Sequence, residues 1–383
     1  MQNGHSHHPW MTEELSATRE QARRFAEKEV APRVESWREV GHSDPQVWKQ
    51  LADLGLLLPE LPEEYGGSGG SLAYQLVVQE ELARVEAGLG IVTVHSIAAH
   101  YILNYGTDEQ KQRWLPRLAS GELLAAIAMS EPGAGSDLQG VRTRATREGE
   151  EYVINGSKIF ISGGYNAGLI IVVCKTDLTQ GAKGISLIVV ETKALAGFKV
   201  GRLLNKIGLK ASDTAELFFD EVRVPAGNLL GGVEGRGFYQ LMQELPFERM
   251  QIAAGAVAVV ERAVELTVQY TKERKAFGQS IFDFQNTRMK LAECKTLAQV
   301  MRSYMNDCTQ QLVDGKLSVE AACMAKWWCT EQQCKVLDEC LQFFGGYGFM
   351  HEQPIARFYA DSRAQKIYGG ANEVMKEVIA KSL

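Results

Sequence analysis

The chain has 383 residues, of which 45% are hydrophobic and 23% are charged. A single hydrophobic core stops growing at roughly 250 to 300 residues, so this length predicts two or three domains. The formal net charge is −6, from 41 basic and 47 acidic residues, which provides no positive field for a nucleic-acid backbone, and no apolar run is long enough to span a membrane.

The first ten residues have neither the apolar core of a secretory signal nor the arginine-rich pattern of a transit peptide. We therefore expect residues 1–10 to be a loose tail and the protein to be cytoplasmic in a bacterial cell. The seven cysteines include no CxxC pair. They are expected to be reduced thiols that pack as small hydrophobic side chains, and no metal site is predicted.

Helical periodicity dominates residues 11–122. The stretch "SDPQVWKQLADLG" offers Ser43 or Asp44 as a helix cap, Pro45 in the first turn and Gly55 as a stop signal. Further periodic stretches follow the glycine-rich "EEYGGSGGS". These patterns predict an N-terminal helical domain.

The pattern changes in residues 123–235, where short β-type runs such as "GLIIVVCKTD" and "GISLIVVET" alternate with turn residues. This spacing predicts a compact antiparallel sheet or barrel. Helical periodicity returns in residues 236–383, with long stretches over 238–272, 284–313 and 318–343 that favour a helix bundle. The predicted fold class is therefore α+β, with three domains in the order α, β, α.

A glycine-rich segment, "MSEPGAGSDLQG" (129–140), lies where helix gives way to strand. It is not a dinucleotide fingerprint, because Leu138 occupies the third glycine position of GxGxxG and no parallel βαβ unit surrounds it. Its glycines and the hydroxyls of Ser130 and Ser136 could bind a polar heterocycle or could form a structural turn. The residues alone leave both readings open.

This segment resembles the first signature of the acyl-CoA dehydrogenase family, and "QFFGGYGFMHEQPIARFYAD" (342–361) resembles the second. The resemblance covers nearly the whole chain after the first dozen residues, and it is strongest to the long-chain subgroup. It implies an N-terminal α-helical domain, a middle antiparallel β-barrel domain and a C-terminal four-helix bundle. It also implies FAD as cofactor, an acyl-CoA substrate, an electron-transferring flavoprotein as electron acceptor, and a homotetramer.

The resemblance assigns FAD contacts to the first signature, to a strand of the β domain and to the C-terminal domain. It implies that Ser130 donates a hydrogen bond near the reactive flavin nitrogen, and that Arg274 meets the pyrophosphate of a neighbouring subunit's FAD. A planar guanidinium suits that role because it binds two oxygens at once. The predicted cofactor residues are Ile127, Ala128, Met129, Ser130, Gly135, Ser136, Phe160, Ile161, Ser162, Arg274, Phe277, Gln285, Gln342, Phe343, Phe344, Gly345, Gly346, Ala371, Asn372 and Glu373.

The family's reaction requires a carboxylate that removes the α-proton of an acyl thioester. Most members carry that Glu directly after "IY" near the C-terminus, where this chain has Gly369. Long-chain and isovaleryl-type members place it on a long helix before an arginine, and Glu248 with Arg249 in "MQELPFERMQIAAGAV" resembles that pair. The resemblance therefore identifies Glu248 as the base.

The residues alone support Glu248 less strongly. The apolar residues after it would desolvate a carboxylate on the inner helix face and raise its pKa. An ordinary first-turn glutamate that interacts with the helix dipole is the alternative that the residues alone favour. Glu373 and Glu244 are the other candidate bases, whereas Asp361 and Glu352 are expected to be structural hydrogen-bond partners.

The resemblance also implies the substrate contacts, which are Ser136, Ala182, Lys183, Tyr239, Pro246, Phe247, Glu248, Arg249 and Gly370. Small residues at the expected end of the acyl pocket, Gly88, Gly90 and Thr93, favour a long or branched acyl chain. Three alternatives stay open: an isovaleryl-type or other short branched-chain dehydrogenase, a flavin monooxygenase or oxidase on the same fold, and a protein that binds FAD without turnover. Glu248 argues against the monooxygenase, because such members often lack the Glu at both positions.

Overall fold

The computed structural model describes residues 8–85 and 91–383. The predicted pocket residues Gly88 and Gly90, and most of the predicted tail, lie outside these ranges. Trp10, at the end of that tail, is buried against Leu15 and Val77. The N-terminal helices are α1 (Glu13–Phe25), α2 (Val34–Val40), α3 (Gln46–Asp53), α4 (Leu72–Ala83), α5 (Ile91–Tyr105) and α6 (Asp108–Ala119).

The local sequence explains several helix ends. Asp44 accepts a hydrogen bond from the backbone N–H of Gln46 just before α3, although the N-cap position of this helix is Pro45 and not Ser43 or Asp44 as predicted. Thr107 and Gln110 form a reciprocal capping box at the start of α6. The chain turns after α2 at Gly41, whose φ of +85° suits glycine.

The middle domain is one seven-stranded sheet in which β5 also pairs with β4. Its strands are β1 (Ala125–Ala128), β2 (Arg144–Glu148), β3 (Glu151–Ser162), β4 (Leu169–Lys175), β5 (Ile185–Glu191), β6 (Phe198–Leu203) and β7 (Thr214–Pro225). Four pairings are antiparallel, as predicted: β2–β3, β3–β7, β6–β7 and β4–β5.

The sheet differs from the fully antiparallel prediction at β4. The first strand, β1, pairs with β4 in parallel, from Ala125 opposite Leu169 to Ala128 opposite Val172. Strand β2 meets β4 in parallel at Arg144 and Lys175. The β2–β3 hairpin between β1 and β4 supplies the long connection that two parallel neighbours need.

The C-terminal domain contains three long helices, α7 (Gly237–Glu273), α8 (Gln285–Val313) and α9 (Val319–Phe343), within a residue or two of the predicted stretches. A small hairpin, β8 (Lys275–Ala276) with β9 (Gln279–Ser280), connects α7 to α8. Two short helices, α10 (Pro354–Ser362) and α11 (Asn372–Ala380), pack on α9. None of the helices that the structure describes is both long and apolar enough to cross a membrane.

A buried histidine fixes α5 against its neighbours. The Nε2 of His95 lies 3.1 Å from the carbonyl oxygen of Leu118, while its Nδ1 accepts a hydrogen bond of 3.0 Å from the backbone N–H of Ala125 in β1. Burial lowers the pKa of His95 to about 4, so the ring is neutral and can donate from one nitrogen while it accepts at the other. This contact holds α5, which carries residues of the candidate site, against the first strand of the sheet.

Candidate active site

Glu248 lies well inside α7, eleven residues after the helix begins at Gly237. The expectation that it lies at a helix start is therefore wrong, and the first-turn alternative is excluded. The helix continues through Pro246, which lies two residues before Glu248, and accommodates the proline ring there. The side chain of Glu248 is buried, and its Oε1 accepts a hydrogen bond of 3.0 Å from the hydroxyl of Tyr101 on α5.

The surroundings of Glu248 favour its protonated form. Burial raises its pKa to about 7; the Tyr101 hydrogen bond lowers it, the nearby Glu244 carboxylate raises it, and the charge of Arg249 lowers it. A carboxylate with this pKa exchanges a proton readily near neutral pH. Glu248 thus has a pKa suited to a general base, although the residues alone favour an ordinary first-turn glutamate at this position.

The glycine pair after "IY" packs on the same part of α7. A Cβ at Gly369 would overlap the side chain of Ile252, which lies one helical turn after Glu248. A Cβ at Gly370 would lie 3.9 Å from Nη2 of Arg249. The position where most of the family carries its base therefore faces the helical turn that carries Glu248.

Helix α9 holds this glycine loop in place. The buried ammonium of Lys326 donates hydrogen bonds to the carbonyl oxygen of Gly370 at 2.7 Å and to Oδ1 of Asn372 at 3.0 Å. Burial, together with the charge of Arg249, lowers the pKa of Lys326 to about 7. Arg249 itself is buried and donates to the sulfur of Cys323 on α9 at 3.2 Å.

The other candidate carboxylates lie in different surroundings. Glu373 is exposed in the first turn of α11, so it lacks the buried surroundings of Glu248. Glu244 is buried and accepts a hydrogen bond of 2.9 Å from Asn104. Asp361 binds the backbone N–H of Leu209 and the guanidinium of Arg38, as a structural partner would, whereas the side chain of Glu352 is exposed.

The first glycine-rich segment is anchored to strand β3. Lys158, fully buried, donates to the carbonyl oxygen of Met129 at 2.9 Å and forms an ion pair of 2.8 Å with Glu131. The backbone N–H of Ile159 donates to the carbonyl oxygen of Ser130 at 3.0 Å. These contacts bring the predicted flavin residues 127–130 beside the predicted residues 160–162.

Phe160 combines an unusual backbone conformation with high exposure. A bulge between Lys158 and Ile161 shifts the register against β7, and Phe160 adopts a φ of +62° with 66% of its surface exposed. A left-handed conformation is strained for a side chain of this size, and such strain concentrates at functional sites. The neighbouring side chains of Ala128 and Ile161 are buried in the core of the β domain, so only their backbone could meet a cofactor.

The second group of predicted cofactor residues lies at the C-terminal end of α7. A cavity of about 510 Å³ is lined by Tyr270, Arg274, Ile281, Phe343, Phe344, Gly345, Gly346, Tyr347 and Met350. Five of these nine are predicted FAD residues. Phe277, at the tip of the β8–β9 hairpin, has a φ of +51° and is 96% exposed. Two further predicted cofactor residues are exposed: Gln285 at the start of α8 and Gln342 at the end of α9.

These surfaces fit a dinucleotide such as FAD. Gly133, Gly135, Gly345 and Gly346 all border open space where a Cβ would meet no atom within 4 Å, so a ligand can approach their backbone closely. Phe160 and Phe277 offer aromatic faces, and the exposed Arg274 offers paired donors for a pyrophosphate. None of the residues that line the 510 Å³ cavity belongs to the first group.

Predicted cofactor residues near the C-terminus have mixed environments. Ala371 precedes α11, and Glu373 is exposed. Asn372 is buried and bonds to Lys326 and Thr330 of α9, so its side chain supports the loop. Within residues 8–85 and 91–383, no group of three or more His, Cys, Asp or Glu side chains is placed to hold a metal ion.

The loop that carries the predicted substrate residues Ala182 and Lys183 lies near the first glycine-rich segment and near the start of α7. Gln139, in the turn after Ser136, lies beside Gly181, and the carbonyl oxygen of Lys183 lies against Gly235 just before α7. Tyr239 is half exposed under the guanidinium of Arg236 and lines a cavity of about 470 Å³ with Asn104 and Tyr105. The predicted residues Ser136 and Lys183 are exposed, and Ala182 is partly buried. The ring of Phe247 packs 4.6 Å from that of His100, whereas Thr93 is buried on α5.

Tyr101, Lys158 and Lys326 were not predicted from the sequence as site residues. Each acts through a contact with a residue that is distant in the chain. Tyr101, for example, lies 147 positions from Glu248. The only available sign was a polar residue within an apolar helical or strand pattern, as with Lys158 in "SKIFIS" and Lys326 in "CMAKWWC". A residue of that kind, once buried, requires a partner.

Comparisons with known proteins match all three domains to one family. Models of the acyl-CoA dehydrogenase N-terminal, middle and C-terminal domains match residues 12–122, 126–222 and 235–383. A mitochondrial long-chain specific acyl-CoA dehydrogenase of Mus musculus is 46% identical over 368 residues, which are 95% of this chain and 85% of that protein.

Solved structures show the same likeness. The crystal structure of an acyl-CoA dehydrogenase from Geobacillus kaustophilus matches with a TM-score of 0.94 and 44% identity, covering 97% of this chain and 98% of that one. A glutaryl-CoA dehydrogenase of Mycobacterium smegmatis in complex with FADH2 matches with a TM-score of 0.92 and 27% identity, over 98% and 96% of the two chains. The chain belongs to the acyl-CoA dehydrogenase family of FAD-dependent oxidoreductases.

Proposed function

We propose that the protein converts a saturated acyl-CoA thioester, with a long or branched chain, into the trans-2-enoyl-CoA, and that Glu248 removes the α-proton. The observation that carries this proposal is the position of Glu248. It is a buried carboxylate with a pKa raised to about 7, in the turn of α7 that faces Gly369.

The residues around Glu248 suit each part of this reaction. When bound, FAD supplies the oxidant that takes the β-hydrogen as a hydride. Removal of the α-proton leaves negative charge on the thioester, and the buried cation of Arg249 beside Gly370 favours that charge in a region with little water. Tyr101 holds Oε1 of Glu248, which leaves Oε2 to receive the proton. Lys326 fixes the glycine loop that borders the base.

The finer parts of the proposal have separate support. The 46% identity with a long-chain specific relative favours a long chain over the isovaleryl alternative. The second group of cofactor residues lines a cavity that includes none of the first group, and this separation favours a FAD that a neighbouring subunit completes, as in the homotetramer that the family resemblance implies. The family resemblance is also the basis for an electron-transferring flavoprotein as acceptor.

A panel of saturated acyl-CoAs tests the substrate class. Anaerobic mixing of the FAD-loaded enzyme with straight chains of increasing length, and with isovaleryl-CoA, is expected to bleach the flavin fastest with the long chains, because a longer tail buries more apolar surface. The measurement is the rate of absorbance loss for each thioester. Fastest bleaching by isovaleryl-CoA would replace the long-chain proposal with the short branched-chain alternative, and bleaching by none would remove both.

Moving the carboxylate tests whether positions 248 and 369 reach the same α-carbon. Because a Cβ at Gly369 would overlap Ile252 and its φ of +65° disfavours side chains, the change needs room. We expect the Glu248→Gln/Ile252→Ala/Gly369→Glu variant to reduce its flavin at least about tenfold faster than Glu248→Gln/Ile252→Ala, since a restored general base contributes strongly. Equal rates in two folded, flavin-bound variants would show that position 369 does not reach the site.

A further inference from the structure

Two carboxylates on α7 are matched by two donors on α5. Glu248 receives the Tyr101 hydroxyl at 3.0 Å, and Glu244, one helical turn earlier, receives the amide of Asn104 at 2.9 Å. Residues four apart on a helix lie on one face, so the two carboxylates are close enough to repel each other when both are charged. Tyr101 on α5 therefore stabilises the ionised form of Glu248, whereas the charge of Glu244 on α7 disfavours it.

Few other ionisable groups face Glu248 in the described part of the chain. On α5 they are Tyr101 and, beyond it, Tyr105, which interacts with Glu244. On α7 they are Glu244 and Arg249. Helix α9 contributes Cys323, which accepts a hydrogen bond from Arg249, and Lys326, whose pKa the charge of Arg249 lowers. The loop at Gly369 and Gly370 contributes no ionisable side chain.

We propose that Tyr101 and Glu244 are positioning residues that set, in opposite directions, the pH at which Glu248 can accept the substrate proton. This inference rests on the proposed role of Glu248 as the base. The Tyr101 hydroxyl bonds to the carboxylate and therefore favours the ionised form, whereas the charge of Glu244 opposes it. Burial raises the pKa of Tyr101 well above its usual value, so the hydroxyl stays a donor throughout the neutral range.

The same contacts orient the carboxylate. Oε1 is occupied by Tyr101, and Oε2 makes no hydrogen bond with any residue in the described ranges. Asn104 holds Glu244 in the same manner, so neither carboxylate is free to turn towards the other. Because the donors lie on α5 and the carboxylates on α7, the packing of the N-terminal domain against the C-terminal domain fixes the geometry of the base.

The test is the pH dependence of anaerobic, single-turnover flavin reduction in the FAD-loaded enzyme. Tyr101→Phe keeps the ring and removes only the donor, so the rising limb of the profile should move up by about one pH unit. Glu244→Gln keeps the shape and removes the charge, so the limb should move down. In the Tyr101→Phe/Glu244→Gln variant the two shifts should largely cancel, whereas two purely structural defects would accumulate.

Two controls separate this inference from general damage. Tyr304→Phe removes a hydroxyl that donates to the carbonyl oxygen of Ala321, and Glu265→Gln changes a surface carboxylate on the same helix α7. Both should leave the limb in place. If Tyr101→Phe does not fold, the Glu244→Gln shift alone decides the inference.

The outcomes also separate this inference from the proposed function. In the first case, Glu248→Gln is inactive at every pH. The roles of Tyr101 and Glu244 would then be overturned if the rising limb of the pH profile stays at the wild-type position, or if it moves in the same direction in both single variants. A Glu248→Gln variant with near-normal reduction at every pH would instead show that Glu248 is not the base, and the inference would fall with it.

Discussion

Replacing Glu248 by Gln is expected to slow anaerobic flavin reduction by an acyl-CoA by about 10³-fold or more, while FAD and the thioester still bind. The amide has the shape of the carboxylate and can keep the Tyr101 hydrogen bond, but it cannot accept the α-proton. Stopped-flow absorbance of the oxidised flavin measures the rate, and the flavin spectrum before mixing verifies cofactor content.

The matched control is Glu265→Gln, which makes the same chemical change on an exposed part of α7 where Glu265 pairs with Arg84. It should reduce its flavin at the wild-type rate. A near-normal rate in Glu248→Gln would contradict the assignment, and Glu373 would become the next candidate, although its side chain is exposed.

Replacing Lys158 by Met is expected to lower the free energy of unfolding by about 3 to 5 kcal/mol, because it leaves the carboxylate of Glu131 buried without its cation. Burial opposes the charge of Glu131, and the Lys158 ammonium, together with hydrogen bonds from Thr143 and Arg142, holds the pKa of that carboxyl below its usual value. The denaturant midpoint and slope of the FAD-loaded protein measure the change. The variant also loses the bond to Met129 that anchors the predicted flavin segment, so its FAD affinity should fall.

A double variant distinguishes the buried charge from lost packing. Glu131→Gln/Lys158→Met removes both charges, and the glutamine oxygen can still accept from one of the backbone N–H groups of Arg142 and Thr143, which bond to different oxygens of the Glu131 carboxylate. We expect it to be more stable than Lys158→Met alone, since removing a whole buried pair costs less than removing one partner. If the single variant is as stable as wild type, the ion pair does not anchor the segment.

The sequence was most informative where a periodic pattern was long. Helices α7, α8 and α9 begin and end within a few residues of the predicted stretches, because many turns of apolar residues at helical spacing outweigh local irregularities such as Pro246. Strand order was harder to predict. The parallel pairing of β1 with β4 depends on where the chain returns after a hairpin, which alternation along one strand does not encode.

The residues of the candidate site also differ in how much the sequence reveals about them. The family resemblance led to Glu248, and the structure shows the burial that the following apolar residues implied, although the helix begins eleven residues before it. The partners that adjust its charge, Tyr101 and Glu244, come from tertiary packing and from a spacing that many helices share. Gly369 was informative because it lies next to the turn of α7 that carries Glu248. That proximity is visible only in the folded structure.

The most direct test of the central claim is a single anaerobic turnover of the FAD-loaded wild-type enzyme with a saturated long-chain acyl-CoA, followed by mass analysis of the thioester. We predict that the flavin absorbance is lost and that one thioester lighter by two hydrogens, the trans-2-enoyl-CoA, forms for each flavin bleached. An oxidised flavin that no saturated acyl-CoA bleaches, with every thioester recovered unchanged, would contradict the proposal that this protein is an acyl-CoA dehydrogenase with Glu248 as its base.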